Sequence, residues 1–345
     1  MADVTPEGLG QCGAMGGPEP TTDVLPAKHE PMRVLVAIDG SPAAATALDL
    51  ACAIRWPAGT HIVVAEAVQH ADELYGGPLP AAGMVEVGKL EAEFRTGATQ
   101  DVRDGAERLL RPGLTVDPVV LRGRPATAIV ERARAMQADL IVVGSRGHGR
   151  IGTMLLGSIS SELVDHAPAP VLVARGRCID RVMLAWDGSS CAARAADLLR
   201  EWPIFCESSI RVVSVADIEV PWWTGFPEPG SPELMPIFVE ATETSRKLHD
   251  KLAIEMSDQL RDGGLRTVTD RLEGDAATEL LARARATGTD LIVMGTHGRT
   301  GLARLVIGSV ARNVLHHASA SVLVVRESDP HHAATDPGRV PPATV

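Results

Sequence analysis

Short runs of β-branched and aliphatic residues alternate along this chain with longer segments whose apolar positions recur every three or four residues. In the first half, the runs near 33–38, 61–67, 115–121, 139–143 and 170–174 read as strands. The segments near 42–55, 86–111, 125–137 and 158–167 read as helices, and Ala44, Ala47, Leu48 and Ala51 make one apolar face of the first. The strands are nearly continuous in apolar residues, as a parallel sheet covered on both faces requires. Strand and helix in strict alternation imply an α/β fold joined by right-handed crossovers.

The second half repeats the first. Ala138–Arg175 aligns without gaps on Thr289–Arg326 at an offset of 151, and the block from Arg33 aligns on that from Arg181 at an offset of 148. The three extra residues belong in a loop, and the poorly matching stretches Gln69–Val87 and Asp217–Glu240, after the second strand of each copy, are the place for them. The chain therefore divides into an N-terminal tail over 1–31, a first domain over 32–176, a second over 177–327 and a C-terminal tail over 328–345. Both tails are rich in Gly, Pro and small polar residues without periodicity and are expected to be disordered.

Ligands of open α/β sheets bind beyond the carboxyl ends of the strands. After strand four stands Gly144-x2-Gly147-x9-Gly157-Ser158, and in the second copy Gly295-x2-Gly298-x9-Gly308-Ser309. Gly144 and Gly147 can take positive φ and lack a Cβ, so backbone N–H groups can close on a phosphate or ribose. Gly157-Ser158 opens a helix whose first amides and partial positive charge suit an anion, with the Ser hydroxyl as phosphate donor or helix cap. Arg146, His148 and Arg150 in one copy, and His297 and Arg299 in the other, add positive charge. After strand one, Asp39-Gly40-Ser41-Pro42 is matched by Asp187-Gly188-Ser189-Ser190, with Ser41 and Pro42 a good N-cap and N1 pair. The Asp39 carboxylate is then placed to accept from a ligand amine or ribose hydroxyl.

Composition narrows the field. Aromatics make up only 3% of the chain, so Val, Ile, Leu and Ala must build the core. A formal charge of −11 without a basic run argues against a broad nucleic-acid surface. Cys12, Cys52, Cys178, Cys191 and Cys206 are odd in number and contain no CxxC pair, so neither a disulfide framework nor a zinc site is indicated. The first thirty residues lack the pattern of a secretory signal, and no apolar run approaches the ~20 residues of a membrane span. A cytoplasmic location is expected.

The strand-Asp-Gly-Ser start, the G-x2-G-x9-G-[ST] motif and a closing VLVV-like strand after Ala-Pro resemble the universal stress protein family over about residues 32–327, and the glycines resemble its ATP-binding branch. The resemblance implies two tandem Rossmann-like domains of the adenine nucleotide alpha hydrolase-like type, each a five-stranded parallel sheet of order 3-2-1-4-5 with helices on both faces. It implies ATP, with or without Mg²⁺, as ligand. Asp39 and Asp187 would meet the adenine, Ala67 and Val215 its ring, and Val143 and Met294 would flank it, beside the strand ends Ala37 and Ala185. Gly144, Gly147, Gly157, Ser158 and Ile159, with Gly295, Gly298, Gly308, Ser309 and Val310, would hold ribose and phosphates. It also implies pairing through the last strands, here Val171–Ala174 and Val322–Val325, either within one chain or between chains, and an ATP-dependent regulator of stress response or growth acting on a protein partner. Trp186, at the end of the second copy's first strand, is expected to crowd its base site.

Other readings of the same residues stand beside this one. Gly147-x-Gly149-x2-Gly152 spells a dinucleotide fingerprint, but it follows strand four and has no counterpart in the second copy. Glycines and a serine also shape turns and cap helices without any ligand, although turn chemistry alone does not demand the same nine-residue gap twice. The same pocket would serve a slow ATPase or nucleotidyl transferase, and the fold alone would serve a dimerisation scaffold. His166, His316 and His317 lack the spacing of metal ligands.

Overall fold

The computed structural model describes residues 30–69, 81–147, 156–216, 235–298 and 307–326, with helix residues 81–87, 90 and 235–238 described by backbone only. The expected C-terminal tail, all but the last two residues of the expected N-terminal tail, most of the two poorly matching stretches and the centres of the two glycine loops lie outside that range.

The first copy runs β1 (Arg33–Ile38), α1 (Pro42–Ala53), β2 (His61–Val68), α2 (Ala81–Leu109), β3 (Thr115–Arg122), α3 (Pro125–Ala135), β4 (Leu140–Gly144), α4 (Ser158–His166) and β5 (Val171–Ala174). The second repeats it as β6 (Arg181–Ala185), α5 (Ser190–Glu201), β7 (Ser209–Ala216), α6 (Met235–Asp262), β8 (Arg266–Glu273), α7 (Ala276–Ala286), β9 (Leu291–Gly295), α8 (Ser309–His317) and β10 (Ser321–Val325). The second helix begins at Ala81 rather than near 86, and most other boundaries shift by one or two residues.

All ten strands form one sheet, ordered β3-β2-β1-β4-β5-β10-β9-β6-β7-β8. Each half has the order 3-2-1-4-5 and is parallel, and the halves join where β5 pairs antiparallel with β10, Leu172 facing Leu323. Every residue of β5 and β10 is buried. Alternate strand residues feed two apolar layers, one on each face, and both layers contain residues of both copies. The outer strands β3 and β8 are partly exposed along their length, and Pro118 in β3 sits on an edge, where a missing N–H is tolerated. The order reverses beside β1 and β4, and beside β6 and β9, and the carboxyl ends of those strands are where ligands of open α/β sheets bind.

Candidate functional site

The same construction closes the carboxyl end of the sheet in both copies. Beyond β1 the chain turns at Gly40, whose φ of 73° lies in the left-handed region, and beyond β6 at Gly188, with φ 77°. Ser41 then caps α1: its Oγ accepts the Ala44 N–H at 3.2 Å and donates to the Arg146 carbonyl at 3.3 Å. One hydroxyl thus ties the helix start to the loop after β4. Ser189 repeats both contacts, with the Ala192 N–H and the His297 carbonyl, each at 3.2 Å.

Asp39 Oδ1 accepts the Ser41 N–H at 3.0 Å, and Asp187 Oδ1 the Ser189 N–H at 2.9 Å. Half of each carboxylate is therefore spent on holding its own turn. The other oxygen faces the loop glycine: a Cβ on Gly147 would lie 2.6 Å from Asp39 Oδ2, and one on Gly298 2.8 Å from Asp187 Oδ2. Only glycine lets the loop approach the carboxylate this closely.

Gly144 and Gly295 answer a different demand. A Cβ on Gly144 would come within 2.5 Å of the Ala43 backbone, and one on Gly295 within 2.6 Å of Cys191 Cβ, so these glycines let the first helix of each copy pack over the end of β4 or β9. None of the described motif glycines has positive φ. Of the two expected reasons for glycine at Gly144 and Gly147, the positive φ is not used and the missing Cβ, which permits close approach, is.

Gly157 and Gly308 are the N-caps of α4 and α8, without a side-chain cap. The Gly157 N–H donates to the Ser145 carbonyl at 2.9 Å and the Gly308 N–H to the Thr296 carbonyl at 2.8 Å, closing the ends of each loop on themselves. Those amides are not open to an anion. In the first copy it is the amides of Ser158, Ile159 and Ser160, in the first turn of α4, that have no acceptor within the helix. Ser158 and Ser309 are exposed first-turn residues and cap nothing. Ser160 went unremarked in the sequence: it is buried, and its Oγ donates to the Gly144 carbonyl at 2.7 Å, locking α4 to the end of β4. A serine falling on the buried face of a short helix was the available signal, since such a hydroxyl needs a backbone acceptor.

Ala37, Val143, Ala185, Val215 and Met294 belong to one apolar layer, against which Ile159 and Val310 pack. Ala67, half-buried, alternates onto the same side as Ala65. Trp186 does not crowd this face. It follows Ala185 by one residue, so its side chain enters the opposite layer, 9% exposed, with Nε1 buried and lacking a hydrogen-bond partner among the described residues. His148 and Arg299 lie outside the described residues. His297 Nδ1 is 3.0 Å from Thr296 Oγ1.

An additional acid lies within electrostatic reach of Asp39, on the opposite layer of the sheet from Ala65 and Ala67. Glu66, level with Ile38 in the sheet, has one carboxylate oxygen buried without a partner among the described residues, and burial, then Asp101 and Asp39, push its pKa up to about 7. In the second copy Ser214 takes this position and lies 2.8 Å from His249 Nδ1. Arg175, just beyond β5, is lowered to about 10 by burial and by the neighbouring charge of Arg146. The group best spaced to hold a metal ion among the described residues, Cys178, Asp180 and Asp290, lies away from these glycines, and Asp290 is already engaged by Arg181 at 2.8 and 3.1 Å.

The universal stress protein family model matches residues 31–175 and 179–326. A universal stress protein of Mycobacterium tuberculosis is 29% identical over 325 residues, which span 86% of this chain and 96% of that protein. Another, from Thermus aquaticus, is 34% identical over 142 residues, 41% of this chain and 97% of the relative. Among solved structures, a universal stress protein from Archaeoglobus fulgidus superposes with a TM-score of 0.59 at 17% identity, covering 85% of this chain and 98% of its own. Among the described residues no helix is long and apolar enough to cross a membrane.

Proposed function

The chain belongs to the universal stress protein family, and from that premise we propose that its two copies, 32–176 and 177–327, each bind an adenine nucleotide, ATP with or without Mg²⁺, at the carboxyl end of the sheet. The reading makes the protein a cytoplasmic, nucleotide-dependent regulator of stress response or growth. Nucleotide held against Asp39 and the adjoining loop after β4, or against Asp187 and the loop after β9, would alter the surface those loops offer to a protein partner or to a second copy of the chain.

The observation that supports it best is the gap between Asp39 Oδ2 and Gly147, too narrow for any Cβ and repeated between Asp187 and Gly298. Around that gap stand an apolar layer for the base and the open first-turn amides of α4, which suit phosphate.

The test is chromatography and mass spectrometry of the denatured protein for co-purified ATP, ADP or AMP, with a thermal shift on adding MgATP. Gly147→Ala combined with Gly298→Ala is expected to lower nucleotide affinity by about tenfold or more, since each new methyl must displace a carboxylate oxygen. Protein that purifies empty and does not respond to MgATP would remove the nucleotide reading. Gly144→Ala is a poor probe, because its Cβ meets backbone and would unseat α1.

A further inference from the structure

The two nucleotide loops end against each other. A cavity of about 10 Å³, no larger than one water, is walled by pseudo-symmetric residues of the two copies: Leu156 with Ile307, Ser161 with Arg312, and Asp165 with His316. Leu156 and Ile307 are the residues just before the Gly157 and Gly308 caps. The second and third pairs break the symmetry, with a hydroxyl and an acid on α4 facing a guanidinium and an imidazole on α8.

The break has a direct structural expression. The Leu156 N–H lies 3.5 Å from His316 Nδ1, a long hydrogen bond from the first copy's loop end to a helix of the second copy. On the other side the counterpart of His316 is Asp165, whose Oδ1 is buried with no partner among the described residues. Arg175 steadies α8 at this point by donating to the Leu315 carbonyl.

We infer that His316 is a positioning residue for the nucleotide site of the first copy, supplied across the seam by the second: its Nδ1 lone pair holds the main chain that leads into the Gly157 cap. The inference rests on the nucleotide reading above for its consequence, and on the Leu156 contact for its geometry. The charged and titratable groups around His316 are Arg312 and His317 on its own helix, Arg175 beyond β5, and Asp165 on α4. Burial, then His317, Arg312 and Arg175, hold its pKa below 6.5, so at neutral pH the ring is uncharged and Nδ1 can accept. As pH falls below 6.5 toward the lowered value, Nδ1 gains a proton, the acceptor is lost, and the first site loosens while the second does not.

The full chain carrying Asp187→Ala leaves the first site as the one read in titrations with ATP. In that background His316→Ala is expected to weaken ATP binding about three- to tenfold near pH 7.5, the scale of one modest hydrogen bond. Amide exchange in the peptide over 156–161 is expected to speed up, with that over 307–312 unchanged. His316→Asn, which puts an amide oxygen where Nδ1 was, is expected to keep the affinity but abolish its decline as the pH is lowered below 6.5. Unchanged exchange at 156–161 in His316→Ala overturns the inference, as does His316→Asn behaving like His316→Ala, which would reduce the residue to packing. Should the wild-type chain bind no ATP at all, the nucleotide reading fails by itself, and the exchange measurement still decides whether His316 holds the loop end.

Discussion

At the scale of single residues, the two copies differ in ionisable groups at Glu66, where the second copy has Ser214. A carboxyl raised to about 7 in the folded chain is neutral in both states in acid. Between about pH 4.5 and 7 the unfolded chain ionises while the folded one stays protonated, so the unfolded state binds fewer protons and stability falls as pH rises. The full penalty is present above 7. Glu66→Gln removes it, and discounting for the half-exposed side chain leaves about 1–2 kcal/mol at pH 8. Chemical denaturation should show the variant more stable than wild type at pH 8 and equal to it near pH 4. Equal stability at both values would mean that the pocket solvates the carboxylate after all.

Elements carry their own signatures, and here the sequence was most readable. Ser41-Pro42 and Ser189-Ser190 announce helix starts, and both serines cap as their type and position suggest. What the letters could not convey was that each hydroxyl also donates to the loop after the fourth strand of its copy, because that loop is about a hundred residues away in the chain. Ser189→Ala should therefore cost about 1 kcal/mol for the lost cap and, separately, loosen the loop that starts at Thr296. A fall in melting temperature together with faster amide exchange around 296–298 would show both roles, whereas Ser189→Thr should spare the two. The strands and their parallel arrangement were legible for a similar local reason, since uninterrupted apolar runs between amphipathic helices leave few ways to build a sheet, whereas the 3-2-1-4-5 order followed from the family resemblance and is the order observed. Direction was the harder part. Trp186 stands next to Ala185 in the chain but enters the opposite layer, and Gly157 offers its amide to Ser145 rather than to a ligand. Spacing marks which residues gather at a site, while the orientation of each group depends on partners distant in sequence.

Across the whole molecule, the antiparallel pairing of β5 with β10 turns two small domains into one body. Neither strand is left as an edge, and the apolar layers on both faces run from one copy into the other. Cooperativity should follow from that continuity, because unfolding one copy would strip the other of its innermost strand partner and expose a buried hydrophobic edge. Leu172 and Leu323 face each other at the centre of the seam and are 2% and 1% exposed. Leu323→Asp would remove a packed side chain and leave a carboxylate in an apolar layer, a loss on the order of 4–5 kcal/mol. The cost falls first on the second copy, which contributes β10. Calorimetry should show one transition for the wild-type chain, and for Leu323→Asp two, the lower belonging to the second copy and followed by separate melting of the first. A single, equally sharp transition at lower temperature would mean instead that the copies share more of their stability through the loop ends and helices on the faces of the sheet than through the strand pair itself, and it would shift the weight of their coupling toward the contact between Leu156 and His316.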